Sequence, residues 1–534
     1  MNQAAKQPTN YSALSTLVIV FFFWGFIAAS NGIFIPFCKS HFHLNQFESQ
    51  LIDFAFYAAY FVGSLVLFLV TSITKIDILN KIGYRRGIIW GLFISIGGAL
   101  LMIPAVNSGS YPFILGSLFV IALGFSLQQT AAQPFAIMLG DPSTGSHRLN
   151  LGGSVNSFGT TLGPLIVSFA LFGSIKEGAS ASADISQIKT LYLIVAGVFF
   201  AAALIFIFSK KLPTTGFDEH VEHSPKAVTS LSTLTLGLVI LVVLSQVADI
   251  DKLTLTGISL FMVFALIFIS YAAASKNGEG WGAMKYPQLI LGMLAIFVYV
   301  GVEVTIQSNM GALLKTDAFG NIDESHNSRF ISLYWGSLMI GRWTGAISVF
   351  NLKKQTRQLM TVLVPLIAFG IVLLVNKGRG NDVSDLYLYV ICILVVIAGI
   401  FFGQEKPVKT LLTLSVLATI AMITGMMTTG QIATYAFMSG GLFCSVMWPC
   451  IFSLAIAGLG KYTSEGSAFL IMMILGGAII PPFQGAIADT TVGIHGSYTV
   501  AVVCFIYLAW HAWQTRRVLQ KQGLDFDQQI GGGH

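Results

Sequence analysis

The sequence predicts an all-α polytopic membrane protein that crosses the bilayer about sixteen times. Of its 534 residues, 55% are hydrophobic and only 10% are charged, too little charge to cover a water-soluble globule of this size. The apolar residues also form long stretches, each close to the roughly 20 residues that a helix needs to span the hydrocarbon core. Because a helix satisfies its own backbone hydrogen bonds, helices and not a barrel are indicated.

The predicted helices follow one another with short loops along nearly the whole chain. In order, they cover 12–37, 50–73, 86–105, 112–140, 150–173, 190–209, 229–247, 254–275, 287–312, 329–350, 358–376, 384–403, 408–428, 431–459, 466–488 and 497–514. With a cytoplasmic N-terminus, most loop lysines and arginines lie on the cytoplasmic side, so the positive-inside rule predicts that both termini are cytoplasmic. The net charge of +6 is scattered over these loops and gives no reason to expect nucleic-acid binding.

The polar residues 210–228 divide the chain into two predicted halves. Their charged, histidine and proline residues suit a solvated linker. Residues 1–209 form an N-terminal bundle of six helices. After the linker we expect two extra apolar hairpins, because helices inserted in pairs leave the orientation of everything downstream unchanged. These hairpins are 229–275 and 384–428, and the second six-helix bundle consists of 287–376 and 431–521.

The two extra hairpins contain almost no polar residues within their spans. We therefore expect them to face lipid as supports, or to form a dimer surface, and to take no part in a substrate cavity. Two related helical bundles are typical of transporters that hold a substrate near the midplane of the membrane.

Motifs of enzymes and ATP-driven pumps are missing from the sequence. The chain has no HExxH, GxSxG or Walker sequence, and its five cysteines have no CxxC spacing. We therefore expect no enzyme activity, no cofactor and no ATP-driven transport by this chain alone.

Ionisable residues inside apolar spans are costly, which makes them functional candidates by default. The three in question are Asp53, Glu303 and Arg342. Asp53 shares one helix face with Phe56, Tyr57 and Tyr60. Aromatic rings beside an acceptor suit a sugar, so Tyr57 is a candidate contact. The alternative is that water at the outer surface of the membrane hydrates Asp53, which then only caps a helix.

Glu303 has the stronger case for a functional role. It precedes Gln307 by four residues on one face of an apolar span, and Asn309 follows closely. A carboxyl group within a membrane can bind and release a proton, or stay charged when a cation neutralises it, and either property can couple ion movement to substrate movement. An ion pair with Arg342 of the next span is the structural alternative.

Amide side chains are concentrated in the fourth span. Gln129 and Gln133 share a helix face by their spacing, and an amide both donates and accepts hydrogen bonds, as a hydroxyl-rich ligand requires. Asn31, Asn156 and Asn309 are candidates of the same kind. For each of them, hydrogen bonding between helices is the alternative.

A basic loop follows the second ordinary span of each half, KIGYRRG at 81–87 and NLKKQTR at 351–357. Arg85 and Arg86, together with Arg342, are candidates for gating. Positive-inside anchoring explains both loops equally well.

Several motifs of the chain resemble those of one family. They are FFFWGF (21–26), AFYAAYF (55–61), LQQTAAQPF (127–135), YVGVE (299–303), GRWTG (341–345), MWPCIFSLA (447–455) and GGAIIPPFQGAIAD (476–489). Over its twelve ordinary spans the chain resembles the fucose/proton symporter family of the major facilitator superfamily, in its bacterial glucose/galactose and N-acetylglucosamine transporter branch. The two extra hairpins depart from the twelve-helix plan of that family.

The resemblance implies a major facilitator fold of two six-helix bundles. It also indicates which acids could couple ion movement to substrate movement. Family members carry an acid in the first helix just after an asparagine, where this chain has Asn31 and then Gly32, and the fucose transporters have a glutamate at the position of Gln129. The hexose branch has glutamine there and glutamate at the position of Glu303, which makes Glu303 the leading coupling candidate. Our own inference is that Asp53 replaces the missing acid. Trp448, in the motif at 447–455, is a further candidate substrate contact.

The sequence thus predicts a secondary transporter that imports a hexose or an amino sugar by alternating access, coupled to a proton or to sodium. A sodium site near Asp53 or Glu303 stays open. We expect a monomer in the bacterial inner membrane. The alternatives are a sugar sensor that kept the fold and lost transport, and an exporter of lipids or drugs, against which the glutamine cluster argues weakly.

Overall fold

The computed structural model describes residues 8–44, 46–172, 186–213, 224–248, 250–322 and 328–524. Every regular element among these residues is helical. The α-helices are α1 (Tyr11–Leu17), α2 (Ile19–His41), α3 (Gln46–Thr74), α4 (Ile78–Ile82), α5 (Tyr84–Asn107), α6 (Tyr111–Met138), α7 (Gly145–Phe172), α8 (Ser186–Phe208), α9 (Pro225–Val247), α10 (Lys252–Lys276), α11 (Pro287–Ser308), α12 (Met310–Leu314), α13 (Ser328–Ala346), α14 (Lys354–Gly378), α15 (Val390–Gly403), α16 (Pro407–Met427), α17 (Gly430–Cys444), α18 (Met447–Ala455), α19 (Thr463–Met472), α20 (Gly476–Ala488), α21 (Gly493–Ser497) and α22 (Thr499–Lys521).

Fifteen helical segments of the described chain are long and apolar enough to cross a membrane. They correspond to the predicted spans with one exception, the span predicted at 329–350. That span forms α13, which carries Arg329 and Arg342 and is not among the fifteen. The predicted all-α membrane architecture is confirmed.

The helices group into two compact units. Unit 1 comprises Met1–Ser64, Leu79–Phe217 and Arg342–Leu388, and unit 2 comprises Leu65–Ile78, Asp218–Gly341 and Tyr389–His534. Three helices, α3, α4 and α13, therefore contribute residues to both units. The division into an N-terminal bundle over 1–209 and a second bundle over 287–376 and 431–521 stays a prediction.

In unit 1, α2 packs along α7, and α5 packs on both α6 and α8. Glycine permits the α2–α7 contact. A Cβ atom on Gly25 would lie 2.1 Å from the carbonyl oxygen of Asn156, and one on Gly159 would lie 2.2 Å from that of Phe22. A larger residue would push the two helices apart, so these glycines bring Asn156 against α2.

In unit 2, α11 is the central helix. It packs on α18, α20 and α22. Within its segment, Pro287–Leu314, 94% of an apolar stretch of 18 residues is buried. A helix that is hydrophobic on all sides is expected in such a position. Glu303 and Gln307 are half-buried polar residues within it.

The two predicted extra hairpins form α9–α10 and α15–α16. In α9 and in α10, only 17% of an apolar stretch of 18 residues is buried. Phe261 of α10, for example, is 74% exposed. One face of α10 packs on α11 and α20, whereas α16 packs on α17 and α22. At the turn between α9 and α10, Asp251 caps α10 by accepting a hydrogen bond from the backbone nitrogen of Thr254 at 2.9 Å, and this bond lowers the pKa of the Asp251 carboxyl group. The absence of these hairpins from a substrate cavity stays a prediction.

Candidate functional site

Gln128 of α6 in unit 1 connects helices. It is completely buried. Its Oε1 accepts a hydrogen bond from Trp24 Nε1 at 3.2 Å, and its Nε2 donates to Ser95 Oγ at 3.2 Å. These two bonds tie α6 to α2 and to α5. Gln128 therefore makes hydrogen bonds between helices.

Gln129 and Gln133, the two glutamines predicted to contact substrate, are bonded differently. Gln129 Nε2 donates to the hydroxyl group of Tyr60 at 3.0 Å. Gln133 is 4% exposed, and its side-chain oxygen has no hydrogen-bond partner among the described residues. Leaving such an acceptor unsatisfied costs about 1–3 kcal/mol. A bound hydroxyl group would satisfy it, which suits Gln133 to a ligand contact.

A second polar cluster of unit 1 surrounds Arg342. Its Nη1 donates to Asn156 Oδ1 at 3.2 Å and to Ser157 Oγ at 3.1 Å, and Asn156 Nδ2 donates to the backbone oxygen of Phe21 at 3.0 Å. The backbone oxygen of Arg342 also accepts from Ser154 Oγ at 2.8 Å. The structure thus brings together Asn156, a predicted substrate contact, and Arg342, a predicted gating residue.

The other predicted residues of unit 1 have varied surroundings. Tyr57 is half-buried and packs edge-on against Phe56, with ring centres 6.0 Å apart.

Arg85 donates from Nε to the backbone oxygen of Phe206 at 2.8 Å and from Nη2 to that of Ile207 at 2.6 Å. These carbonyl groups end α8 and would otherwise lack partners within the helix, so Arg85 anchors that end. Arg86 is exposed. The side chains of Asn31 and Asp53 lie outside the described residues.

In unit 2, one face of α11 carries the candidate residues. Tyr299, Glu303 and Gln307 follow one another at four-residue intervals and share this face. The hydroxyl group of Tyr334 donates to the backbone oxygen of Glu303 at 2.7 Å, and that of Tyr498 donates to the backbone oxygen of Ile306 at 3.0 Å. Two buried tyrosines therefore hold the stretch of α11 that carries Glu303.

Trp448 and Asn309 complete the predicted set in unit 2. The centre of the Trp448 ring, on α18, lies 6.1 Å from the centre of the Tyr299 ring. Trp448 is also stacked on Phe452, with ring centres 6.1 Å apart. Asn309 is the C-terminal cap residue of α11, and its Nδ2 donates to the backbone oxygen of Thr305 at 3.2 Å. Trp448 is half-buried and Tyr299 is 1% exposed, and the two form an aromatic pair of which Tyr299 lies one helical turn from Glu303.

Sequence reasoning missed three residues of note. Tyr299 could have been found, because it precedes Glu303 by one helical turn. Arg148, which lies between the spans predicted at 112–140 and 150–173, is 1% exposed and belongs to α7, where its guanidinium group donates to the backbone oxygens of Ala136 and Asp141 at 2.8 and 2.7 Å. Glu465 is 3% exposed at the start of α19. It lies just outside the span predicted at 466–488, so no search within spans could find it.

In the described part of the chain, no three histidine, cysteine, aspartate or glutamate side chains converge as a metal site would require. A sodium ion, which prefers oxygen ligands including backbone carbonyls, stays an open prediction near Asp53 or Glu303.

Comparison with known proteins gives concordant findings. Residues 16–405 match the family described as Major Facilitator Superfamily. The glucose/galactose transporter of Brucella abortus biovar 1 (strain 9-941) is 30% identical over 512 residues, which cover 96% of this chain and 96% of that protein. The L-fucose-proton symporter of Escherichia coli (strain K12) is 23% identical over 520 residues, 95% of this chain and 93% of its own length.

A crystal structure of the E. coli fucose:proton symporter shares the fold. It superposes with a TM-score of 0.62 at 21% sequence identity, and the match covers 94% of this chain and 98% of that one. The predicted major facilitator fold is thereby confirmed.

Proposed function

The chain belongs to the major facilitator superfamily of membrane transporters, and from this premise we propose that it imports a hexose or an amino sugar by alternating access. The Brucella relative, which aligns over nearly the whole chain, bears the name glucose/galactose transporter. The protein is a transporter and not an enzyme.

The observation that carries the sugar proposal is the face of α11 with its aromatic neighbour. Glu303 and Gln307 supply a carboxyl group and an amide, and Tyr299 and Trp448 supply rings whose centres are 6.1 Å apart. A sugar presents C–H surfaces that pack on aromatic rings and hydroxyl groups that need donors and acceptors. The half-buried ring of Trp448 on α18 suits the first requirement, and the half-buried Glu303 and Gln307 on α11 suit the second.

Unit 1 supplies most of the remaining proposed substrate contacts. Gln133 has an acceptor without a partner in the described structure, and Gln129 and Asn156 are amides whose hydrogen bonds join neighbouring helices. Tyr57 and Asn31 are proposed as further contacts, and Asn309 as one in unit 2. Arg85, Arg86 and Arg342 are the proposed gating residues.

Glu303 is the proposed coupling residue, and Asp53 is a second. A half-buried carboxyl group can exchange its charge for a proton, or hold a sodium ion, when substrate arrives. The E. coli relative is named a proton symporter, which favours the proton over sodium. We further propose a monomer in the bacterial inner membrane with both termini in the cytoplasm.

Transport by the full-length protein in proteoliposomes tests the proposal. Labelled glucose, galactose and N-acetylglucosamine are offered under an inward proton gradient and, separately, an inward sodium gradient. We expect at least one sugar to accumulate under the proton gradient and to be exchanged in counterflow without a gradient. Uptake that ignores both gradients would reduce the claim to facilitated diffusion.

The same preparation separates the rival functions. Sugar binding without counterflow would favour a sensor. A lack of binding by all three sugars would refute sugar transport and return lipid or drug export to consideration. For any substitution of a candidate acid, Glu279→Gln is the control variant, because Glu279 is an exposed acid on the segment between α10 and α11.

A further inference from the structure

A buried carboxyl group that the proposed sugar site does not use lies at the start of α19. Glu465 is 3% exposed. Its Oε1 accepts a hydrogen bond from the backbone nitrogen of Ala283 at 3.1 Å. Its Oε2 is buried and has no hydrogen-bond partner among the described residues. An ionised carboxylate is costly in such a place, whereas the protonated form carries no net charge.

A second acid lies beside Glu465. Asp77, in the segment between α3 and α4, is 4% exposed. Its Oδ1 accepts a hydrogen bond from Ser464 Oγ at 3.0 Å, and its negative charge acts on Glu465. Two neighbouring buried carboxyl groups resist simultaneous ionisation, which favours a proton on one of them.

One positive group also faces Glu465. Lys285 acts electrostatically on the Glu465 carboxyl group, and its ammonium group lies 4.6 Å from the ring centre of Tyr462. Asp77 and Lys285 thus act on Glu465 with opposite signs. Removing either charge should change how readily Glu465 gives up a proton.

The enclosure of Glu465 is built from the two ends of the first extra hairpin. Ser224 precedes α9, and Gly282 and Ala283 follow α10. A Cβ atom on Gly282 would lie 2.6 Å from Glu465 Oε1 and 2.8 Å from Ser224 Cβ. Gly282 also has a φ of +54°, which favours glycine. The backbone can therefore reach the carboxyl group only because residue 282 has no side chain.

We propose that Glu465 is a proton-binding residue separate from the proposed coupling residue Glu303. The proton binds to Oε2 while the segments of Ala283 and Asp77 enclose the carboxyl group, and it leaves as a free proton when they withdraw; apart from this O–H bond, no covalent bond changes. The proton binding stands by itself, whereas its link to the transport cycle rests on the proposed proton-coupled function. The first extra hairpin gains a role, because its ends form the enclosure.

Infrared difference spectroscopy of the full-length protein in lipid nanodiscs tests the proton site without any sugar. The carbonyl stretch of a protonated carboxyl group is followed as pH is varied. We expect one band near neutral pH that is lost in Glu465→Gln and kept in Glu279→Gln, the exposed acid on the segment that encloses Glu465. An unchanged band in Glu465→Gln would overturn the proposal.

Asp77→Asn gives an independent measurement should Glu465→Gln fail to fold. Removal of the neighbouring negative charge makes ionisation of Glu465 easier, so the band should titrate at lower pH than in the wild type. A titration that does not move would count against the pairing of the two acids and overturn the proposed site.

The pH profile of sugar counterflow tests the link to transport. We expect Glu465→Gln, which resembles the protonated state, to flatten the profile, whereas Glu279→Gln should leave it unchanged. Superposable profiles of Glu465→Gln and the wild type would refute the role in transport. Failure of the sugar proposal would look different, because counterflow would be absent from every variant while the infrared result remained.

Discussion

The described candidate side chains of unit 1 and those of unit 2 differ in chemistry. In unit 1 they are amides, guanidinium groups and one phenol, and hydrogen bonds such as those from Arg342 to Asn156 and from Gln129 to Tyr60 hold several of them. In unit 2 they include a half-buried carboxyl group, Glu303, between Tyr299 and Gln307 on one face of α11. Amides stay uncharged and guanidinium groups stay charged at every physiological pH, whereas a carboxyl group can gain or lose its charge.

This difference suggests a division of labour between recognition and coupling. Substitutions among the amides of unit 1 should change the affinity for sugar and leave the use of the ion gradient intact. Substitution of the carboxyl group in unit 2 should do the opposite. Four variants, given in order of decreasing effect, test this contrast.

Glu303→Gln should have the largest effect. An amide cannot take up a proton at physiological pH, so gradient-driven accumulation should fall by about tenfold or more, whereas counterflow should stay within about threefold of the wild type. Accumulation ratios and counterflow rates in proteoliposomes measure the two quantities. Full accumulation by this variant would remove Glu303 from the coupling mechanism.

Gln133→Ala should act on recognition alone. The loss of one ligand hydrogen bond is worth about 1.4 kcal/mol, so KM for the transported sugar should rise by about tenfold. The ratio of accumulated to external sugar at saturation should stay that of the wild type. A variant that lost accumulation while keeping its KM would contradict the division between the two units.

Gln128→Ala provides the structural contrast to its neighbours in α6. Removal of this amide leaves Trp24 Nε1 and Ser95 Oγ without their present partner, which should lower the free energy of unfolding by about 1–3 kcal/mol. Thermal unfolding in detergent measures the loss. KM should stay within about twofold, and a tenfold change would show that Gln128 also contacts the sugar.

Asp251→Ala, in the first extra hairpin, should have the smallest effect. Its carboxylate caps α10, and its pKa is lowered by the hydrogen bond from Thr254. The cap therefore stabilises the fold at neutral pH, and this contribution is lost as pH falls through the lowered pKa. We expect a slightly lower Tm at pH 7, no difference from the wild type in strong acid, and unchanged sugar transport. Altered transport would bring this hairpin turn into the mechanism.

The sequence was informative about spans and less so about individual side chains. Gln128, Gln129 and Gln133 look equivalent as intramembrane amides, but burial and bonding separate Gln128, with both ends of its amide engaged, from Gln133, with an unsatisfied oxygen. Partners that lie far away along the chain, such as Ser95 and Trp24, decide this difference. No spacing rule within α6 could supply it.

The sequence was enough to establish a helical membrane protein, because the length of its apolar stretches and the scarcity of charge allow a bilayer as solvent and little else. It also made Glu303 a candidate, since a lone acid in an apolar span is visible without a fold. Tertiary structure alone decided which polar groups are satisfied, and it alone placed Glu465 against Ala283 and Asp77. The cost of a buried carboxyl group depends on neighbours brought together from distant parts of the chain, and only the folded chain brings them together.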